Sequence, residues 1–109
     1  MSKSYLVLST IDTHQEAEQI AQQLVEERLA ACVNIVPKIT SIYRWKGALE
    51  RTTEHLMIMK TAEDRLSSLI HRIKELHPYE VPEVIALSID EGDPAYLEWI
   101  LSETRENSP

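Results

Sequence analysis

The stretch CVNIVPKITSIYRWKGALERTTEHLMIMK, residues 32–60, decides the fold. From Cys32 to Trp45 its character is extended. Val33, Ile35, Pro37, Ile39, Ser41, Tyr43 and Trp45 recur with the period of two that places them on one face of a strand, with Asn34, Lys38, Thr40 and Arg44 on the other. Lys46-Gly47-Ala48 supplies the turn, because Gly47 accepts the positive φ that hairpin turns need. Leu49 to Lys60 is the return strand of one long hairpin. At about 3.3 Å per residue a strand from Cys32 to Trp45 is about 46 Å long, whereas ordinary strands have about five or six residues. Helices of four or five turns cannot cover such a hairpin. Its distal half, with Ile42, Tyr43, Trp45 and Leu49, therefore projects beyond a two-layer core. Apolar strands with open edges aggregate unless covered, which predicts that other subunits cover this one. Pro37 predicts a bend or bulge in the first arm, since proline cannot donate to a ladder.

Working outward, Ser4 to Thr10 is a short apolar, β-prone run suited to a strand buried on both faces. Thr13 and Glu16 form a capping box that opens a helix, and Ala17, Ile20, Ala21, Leu24 and Val25 make its apolar face as far as about Leu29. Past the hairpin, Thr61 is the expected N-cap of a second helix, with Leu66, Leu69, Ile70 and Ile73 on its buried face and Pro78 as its stop. Val84 to Ile89 is the last strand. Asp93 caps a final helix with Pro94 at its first position, and Tyr96, Leu97, Ile100 and Leu101 form its stripe. The order β-α-β-β-α-β plus a C-terminal helix is the split-βαβ, ferredoxin-like pattern: an α+β fold with an antiparallel sheet and two main helices on one face. One domain, 1–109, accounts for the chain, with a flexible tail expected from about residue 103.

Composition narrows the function classes. Eighteen acidic against eleven basic residues give a net charge of −7, which argues against a nucleic-acid module, since phosphate contact needs clustered Lys and Arg. One cysteine, Cys32, permits no internal disulfide and no Cys-x-x-Cys motif. No signal peptide and no membrane-length apolar run is present, so a cytoplasmic protein is expected.

Chemistry concentrates in His77-Pro78-Tyr79-Glu80-Val81-Pro82-Glu83, where an imidazole, a phenol and carboxylates crowd into a proline-stiffened loop. His77 is either a metal ligand or acid/base group, or a helix C-terminal residue held by the dipole; a lone histidine favours the structural role. Cys32 is a soft-metal ligand or a small apolar residue at a strand start. Met57 and Met59 invite a Cu(I) reading, yet alternate with Leu56 and Ile58 as core residues do. Lys60, beside a helix start, is an anion contact together with the N–H groups of Ala62 and Glu63, or a solvated strand end. Trp45 and Trp99 read as packing or interface anchors. No serine lies in a nucleophile elbow, and with Gly47 and Gly92 the only glycines there is no phosphate loop, so no enzymatic activity is expected.

Ala30-Ala31-Cys32-Val33-Asn34, Ser41-Ile42-Tyr43-Arg44-Trp45-Lys46-Gly47, Lys60-Thr61, His77 to Glu83 and Tyr96-Leu97-Glu98-Trp99 together closely resemble the CutA family of divalent-cation tolerance proteins, over Tyr5 to Arg105. The resemblance implies a ferredoxin-like homotrimer joined through the long hairpin, and a role in the response to copper and other divalent ions. In copper-linked members the proposed ligands are a cysteine ending the first strand and two adjacent histidines before Pro-Tyr. Here those positions hold Ser9, Leu76 and His77, so His77 alone carries over as a weak site for Cu(II) or another divalent cation. The family also resembles PII-type signalling trimers. That implies an alternative: a sensor of small molecules or anions, with Lys60, Tyr79, Glu83 and Trp45 lining clefts between subunits.

Overall fold

The computed structural model describes residues 3–106. Its elements are β1 (Ser4–Ile11), α1 (His14–Glu26), β2 (Cys32–Trp45), β3 (Ala48–Ala62), α2 (Leu66–Leu76, entered through a 3-10 turn at Glu63–Arg65), β4 (Ile85–Ile89) and α3 (Pro94–Thr104). The four strands form one antiparallel sheet in the order β2-β3-β1-β4, the ferredoxin-like arrangement expected. Val7, Ile11, Met57 and Met59 point from the sheet into a core shared with Ala17, Ile20 and Leu24 of α1 and Leu69 and Ile73 of α2. The methionines are therefore packing residues, fully buried. Helix α3 packs on β3 and β1, burying Ile100.

The caps follow the sequence at two helices and depart from it at two other ends. Thr13 Oγ1 accepts from Glu16 N–H at 3.2 Å, and Asp93 Oδ2 accepts from Tyr96 N–H at 3.1 Å. Helix α1 stops at Glu26, short of Leu29, because Arg28 takes a left-handed φ of 59° and sends the Leu29 N–H back to Leu24 O at 3.0 Å. Leu29 is buried as the residue that closes this turn, which is why its periodicity resembled helix. Thr61 is not an N-cap. Strand β3 continues through it, and its buried hydroxyl donates to Leu29 O at 2.7 Å. At the C-terminus, where a flexible tail is expected from about residue 103, helix α3 runs on to Thr104. Glu103 and Thr104 are helical, and the buried Thr104 hydroxyl donates to Ile100 O at 2.8 Å. Residues 107–109 lie outside the described part.

The hairpin carries the main correction. Val33 and Ile35 pair with Met59 and Met57, on the face toward α1 and α2. Between Val36 and Ile39 the register slips by one residue, and Lys38 adopts φ 57°. This bulge, at the position Pro37 predicted, reverses the alternation. Ile39 pairs with Glu54, Ser41 with Thr52 and Tyr43 with Glu50, so these residues and Trp45 lie on the opposite face from Val33 and Ile35. A single face from Val33 to Trp45 was the wrong expectation, because period two survives only where no residue is inserted. His55 holds the bulge: its Nδ1 accepts the Lys38 N–H at 3.3 Å. At the tip Trp45 pairs with Ala48, and Lys46 (φ 50°) and Gly47 (φ 82°) form a two-residue loop of the left-handed kind that suits strand twist.

Candidate functional site

A cleft of about 620 Å³ opens between the distal hairpin and the loop after α2. The hairpin contributes Ser41, Ile42, Tyr43, Trp45 and Glu54, the loop Tyr79, Glu80, Val81 and Glu83, and β1 contributes Thr10. Two features of the sequence build it. The bulge turns Ser41, Tyr43 and Trp45 toward this side, and Pro78 and Pro82 limit the loop's conformations. Tyr79, Glu83 and Trp45, expected to line clefts between subunits, thus come together in a cleft of the single chain. Glu54, Tyr43, Ser41 and Thr10 were not anticipated. Glu54 carried one faint signal: a carboxylate within a strand otherwise bound for burial.

A chain of hydrogen bonds fixes the inner wall. His77 closes α2 and is buried, its ring edge-on to Tyr79 with centroids 4.5 Å apart. Its Nε2 lies 2.7 Å from Thr10 O, to which it donates, and its Nδ1 accepts the Tyr79 N–H at 3.1 Å. The Tyr79 hydroxyl donates to Glu54 Oε2 at 2.7 Å. Burial, then the Glu54 hydrogen bond and charge, push the Tyr79 phenol well above its ordinary pKa of 10.0. Glu54 is itself only 6% exposed, and its second oxygen has no hydrogen-bond partner among the described residues.

This geometry redefines His77. A neutral imidazole has one donor and one acceptor, and both are in use, so a metal at His77 would have to displace either the β1 carbonyl or the Tyr79 N–H. Ser9 and Leu76 offer no help: Ser9 Oγ is buried without a partner, and Leu76 packs against the core. The copper-type ligand set does not fit these residues. Among the described residues no group of three or more His, Cys, Asp or Glu side chains is placed to hold a metal ion.

Lys60 belongs elsewhere. It lies six residues along β3 from Glu54, about 20 Å at strand rise, with Nζ 2.7 Å from Asn34 Oδ1 and 5.7 Å from the Tyr96 ring centre. The anion contact expected there loses one of its N–H groups, because Glu63 N–H donates to Lys3 O at 2.8 Å. Cys32 is half-buried, its thiol 3.7 Å from the same Asn34 oxygen.

A ferredoxin-like sheet whose β2–β3 hairpin outgrows its helices, with a cleft at the foot of the projecting part, defines a narrow class of small α+β proteins. The chain belongs to the CutA1 divalent ion tolerance protein family, whose sequence pattern matches residues 5–103. It is 50% identical over 103 residues to the divalent-cation tolerance protein CutA of Thermus thermophilus, an alignment covering 94% of this chain and 96% of that one. The Xenopus laevis CutA homolog is 54% identical over 84 residues, covering 77% of this chain and 56% of the longer frog protein. The solved Thermus thermophilus structure superposes with a TM-score of 0.90 at 49% identity, over 94% of this chain and 99% of that one. CutA1 from Oryza sativa gives 0.92 at 44% identity, over 96% of each. No helix among the described residues is long and apolar enough to cross a membrane.

Proposed function

We propose that this chain serves divalent-cation tolerance as a homotrimeric ligand-binding protein of the cytoplasm, neither an enzyme nor a copper carrier, with the cleft around Tyr79 as its working site. The observation that carries this is the cleft itself. Its volume lies in the range of small-molecule sites, and its inner wall is fixed in advance by the Thr10–His77–Tyr79–Glu54 relay. Within the relay His77 acts as a positioning residue for Tyr79. Support for assembly comes from the hairpin: Ile42 is 63% and Leu49 71% exposed, beside half-exposed Tyr43 and Trp45, with Ile85 and Leu87 likewise uncovered on edge strand β4. A patch of that kind on a strand surface is covered in solution or aggregates.

Two measurements test the reading. Light scattering is expected to give three times the 12.5 kDa chain mass, and a monomer would refute the assembly. Calorimetric titration of Cu(II) into wild type and His77→Ala is expected to give equal heats. A saturable, tight exotherm that the substitution abolishes would restore the copper reading.

A further inference from the structure

Two histidines meet away from the His77–Tyr79–Glu54 relay. His14, in the first turn of α1, and His55, on β3, lie edge to face with ring centroids 5.4 Å apart. The His14 side chain is half open to solvent, whereas His55 is buried by its own chain, whatever covers the far arm of the hairpin.

The His55 ring has a defined task. Its Nδ1 accepts the Lys38 N–H at 3.3 Å, and Lys38, with its φ of 57°, sits where the β2–β3 register slips. A ring nitrogen that accepts a hydrogen bond carries no proton, so this contact requires the neutral imidazole with its hydrogen on Nε2. Imidazole is the side chain whose charge ordinarily changes between about pH 5 and 8. A proton taken up at Nδ1 turns the acceptor into a donor, and two donors then face each other across the bulge.

The neighbours of His55 do nothing to hold that extra charge in place. From α1 comes His14, whose Nε2 donates to Glu18 Oε1 at 3.1 Å, so the nearest carboxylate on that helix is engaged by the other ring. From β2 comes the Lys38 backbone, with its side chain exposed. From β1 the register partner is apolar Ile11, and Asp12 after it is exposed. On β3 itself Glu54 falls on the opposite face, bonded to Tyr79. Among the described residues none of these carboxylates pairs with His55. Two imidazolium rings at this separation repel each other.

We propose that the His14–His55 pair makes the hairpin joint proton-sensitive: the neutral His55 clasps the bulge, and its protonation beside His14 releases the clasp and loosens the far arm. The sign follows from proton counting. The released joint binds one proton more than the clasped one, so the clasp is strongest at mildly alkaline pH and weakens as pH falls through the imidazole range.

NMR of the full chain in its assembled state tests this between about pH 8 and pH 5, the span over which imidazole titrates. Long-range proton–nitrogen spectra are expected to show His55 as the Nε2–H tautomer at the alkaline end and doubly protonated at the acid end. Over the same span the hydrogen-exchange protection of the Lys38 amide, corrected for its intrinsic rate, is expected to fall at least tenfold. His55→Gln, whose side-chain oxygen accepts at every pH, is expected to hold that protection constant. His14→Gln, which removes the facing ring, is expected to show a several-fold smaller loss than wild type. Should His55→Gln fail to fold by circular dichroism, the wild-type tautomer and Lys38 protection, read in one sample with His14→Gln beside it, decide the matter. A proton on His55 Nδ1 at the alkaline end, Lys38 protection that stays flat while His55 titrates, or a loss that persists in folded His55→Gln would each overturn the clasp. A loss undiminished in His14→Gln would overturn the pairing.

Discussion

The near and far halves of the β2–β3 hairpin belong to one continuous ladder and are comparably rich in apolar residues, yet they end in different environments. In the near half Met57 and Met59 are fully buried, with Val33 and Ile35 packed beside them under α1 and α2. In the far half Ile42, Tyr43, Trp45 and Leu49 are exposed or nearly so. The difference lies in what the helices reach and in the bulge at Pro37 and Lys38, which turns the strand over where helix cover runs out. Near the helices, apolar side chains stabilise the protomer. Beyond the bulge they form the wall of a cleft and an apolar surface that the chain itself leaves uncovered. A strand's pattern thus specifies that a face will be covered, and the covering element determines what the covering accomplishes.

The strongest way to break this contrast is truncation on each side of it. Met57→Ala is expected to lower unfolding free energy by about 2–5 kcal/mol in urea melts, as a buried cavity does. Leu49→Ala is expected to leave protomer packing unchanged, within about 0.5 kcal/mol, and to alter only the dependence of Tm on protein concentration. Equal losses at constant concentration would erase the distinction between the halves.

Next comes the joint. His55→Leu removes the acceptor for the Lys38 N–H and is expected to cost about 1–3 kcal/mol. NMR contacts between Lys46 and Glu80, 3.9 Å apart here, should weaken with it, since the bulge is what brings the hairpin and the loop to one cleft. Preserved contacts with unchanged stability would show that Pro37 alone shapes the bend.

Tyr79→Phe tests the inner wall, with an expected loss of about 1–2 kcal/mol from the unpaired Glu54 carboxylate. It also carries a pH signature. The phenol is held protonated in the folded state above its ordinary value of 10.0, so from that pH upward the unfolded chain binds fewer protons than the native one. Wild-type stability should therefore be intact below about pH 10 and fall as pH rises beyond it. The Phe variant should lack that part of the fall in melts at pH 8 and about pH 11.

Smallest is the effect of the two orphan hydroxyls, one on β1 and one on the far half of β3. Ser9 Oγ and Thr52 Oγ1 are buried without partners among the described residues. Ser9→Ala and Thr52→Val are each expected to raise stability by up to about 1 kcal/mol. If only the Ser9 change helps, Thr52 has a hydrogen-bond partner in solution, as it would beside an occupied cleft or a neighbouring subunit.

Much of the fold was legible in the order of residues, because local physics governs it. Capping at Thr13 and Asp93, the left-handed turn at Lys46-Gly47 and the bulge near Pro37 follow from side-chain hydrogen bonding and allowed φ values. The site was legible only in part. Tyr79, Glu83 and Trp45 were identified as residues of interest. His77, a candidate metal ligand in the sequence, bonds Thr10 and Tyr79 in the structure, and Lys60, expected to line clefts between subunits, bonds Asn34 away from the cleft of the single chain. Nothing in the spacing of β3 marks Glu54 as a residue of the cleft.

The sequence by itself determined which segments become strands and helices, that the hairpin exceeds its cover, and which family the chain resembles. Those properties depend on neighbours along the chain and on lengths. Tertiary structure alone decided which face Trp45 and Tyr43 present, that His77 spends both nitrogens on Thr10 and Tyr79, and that a buried carboxylate from β3 meets a phenol twenty-five residues away. The physical reason is that one inserted residue inverts every side chain after it, and hydrogen-bond partners are chosen in space. Neither the inversion nor the choice of partner leaves a periodic trace in the sequence.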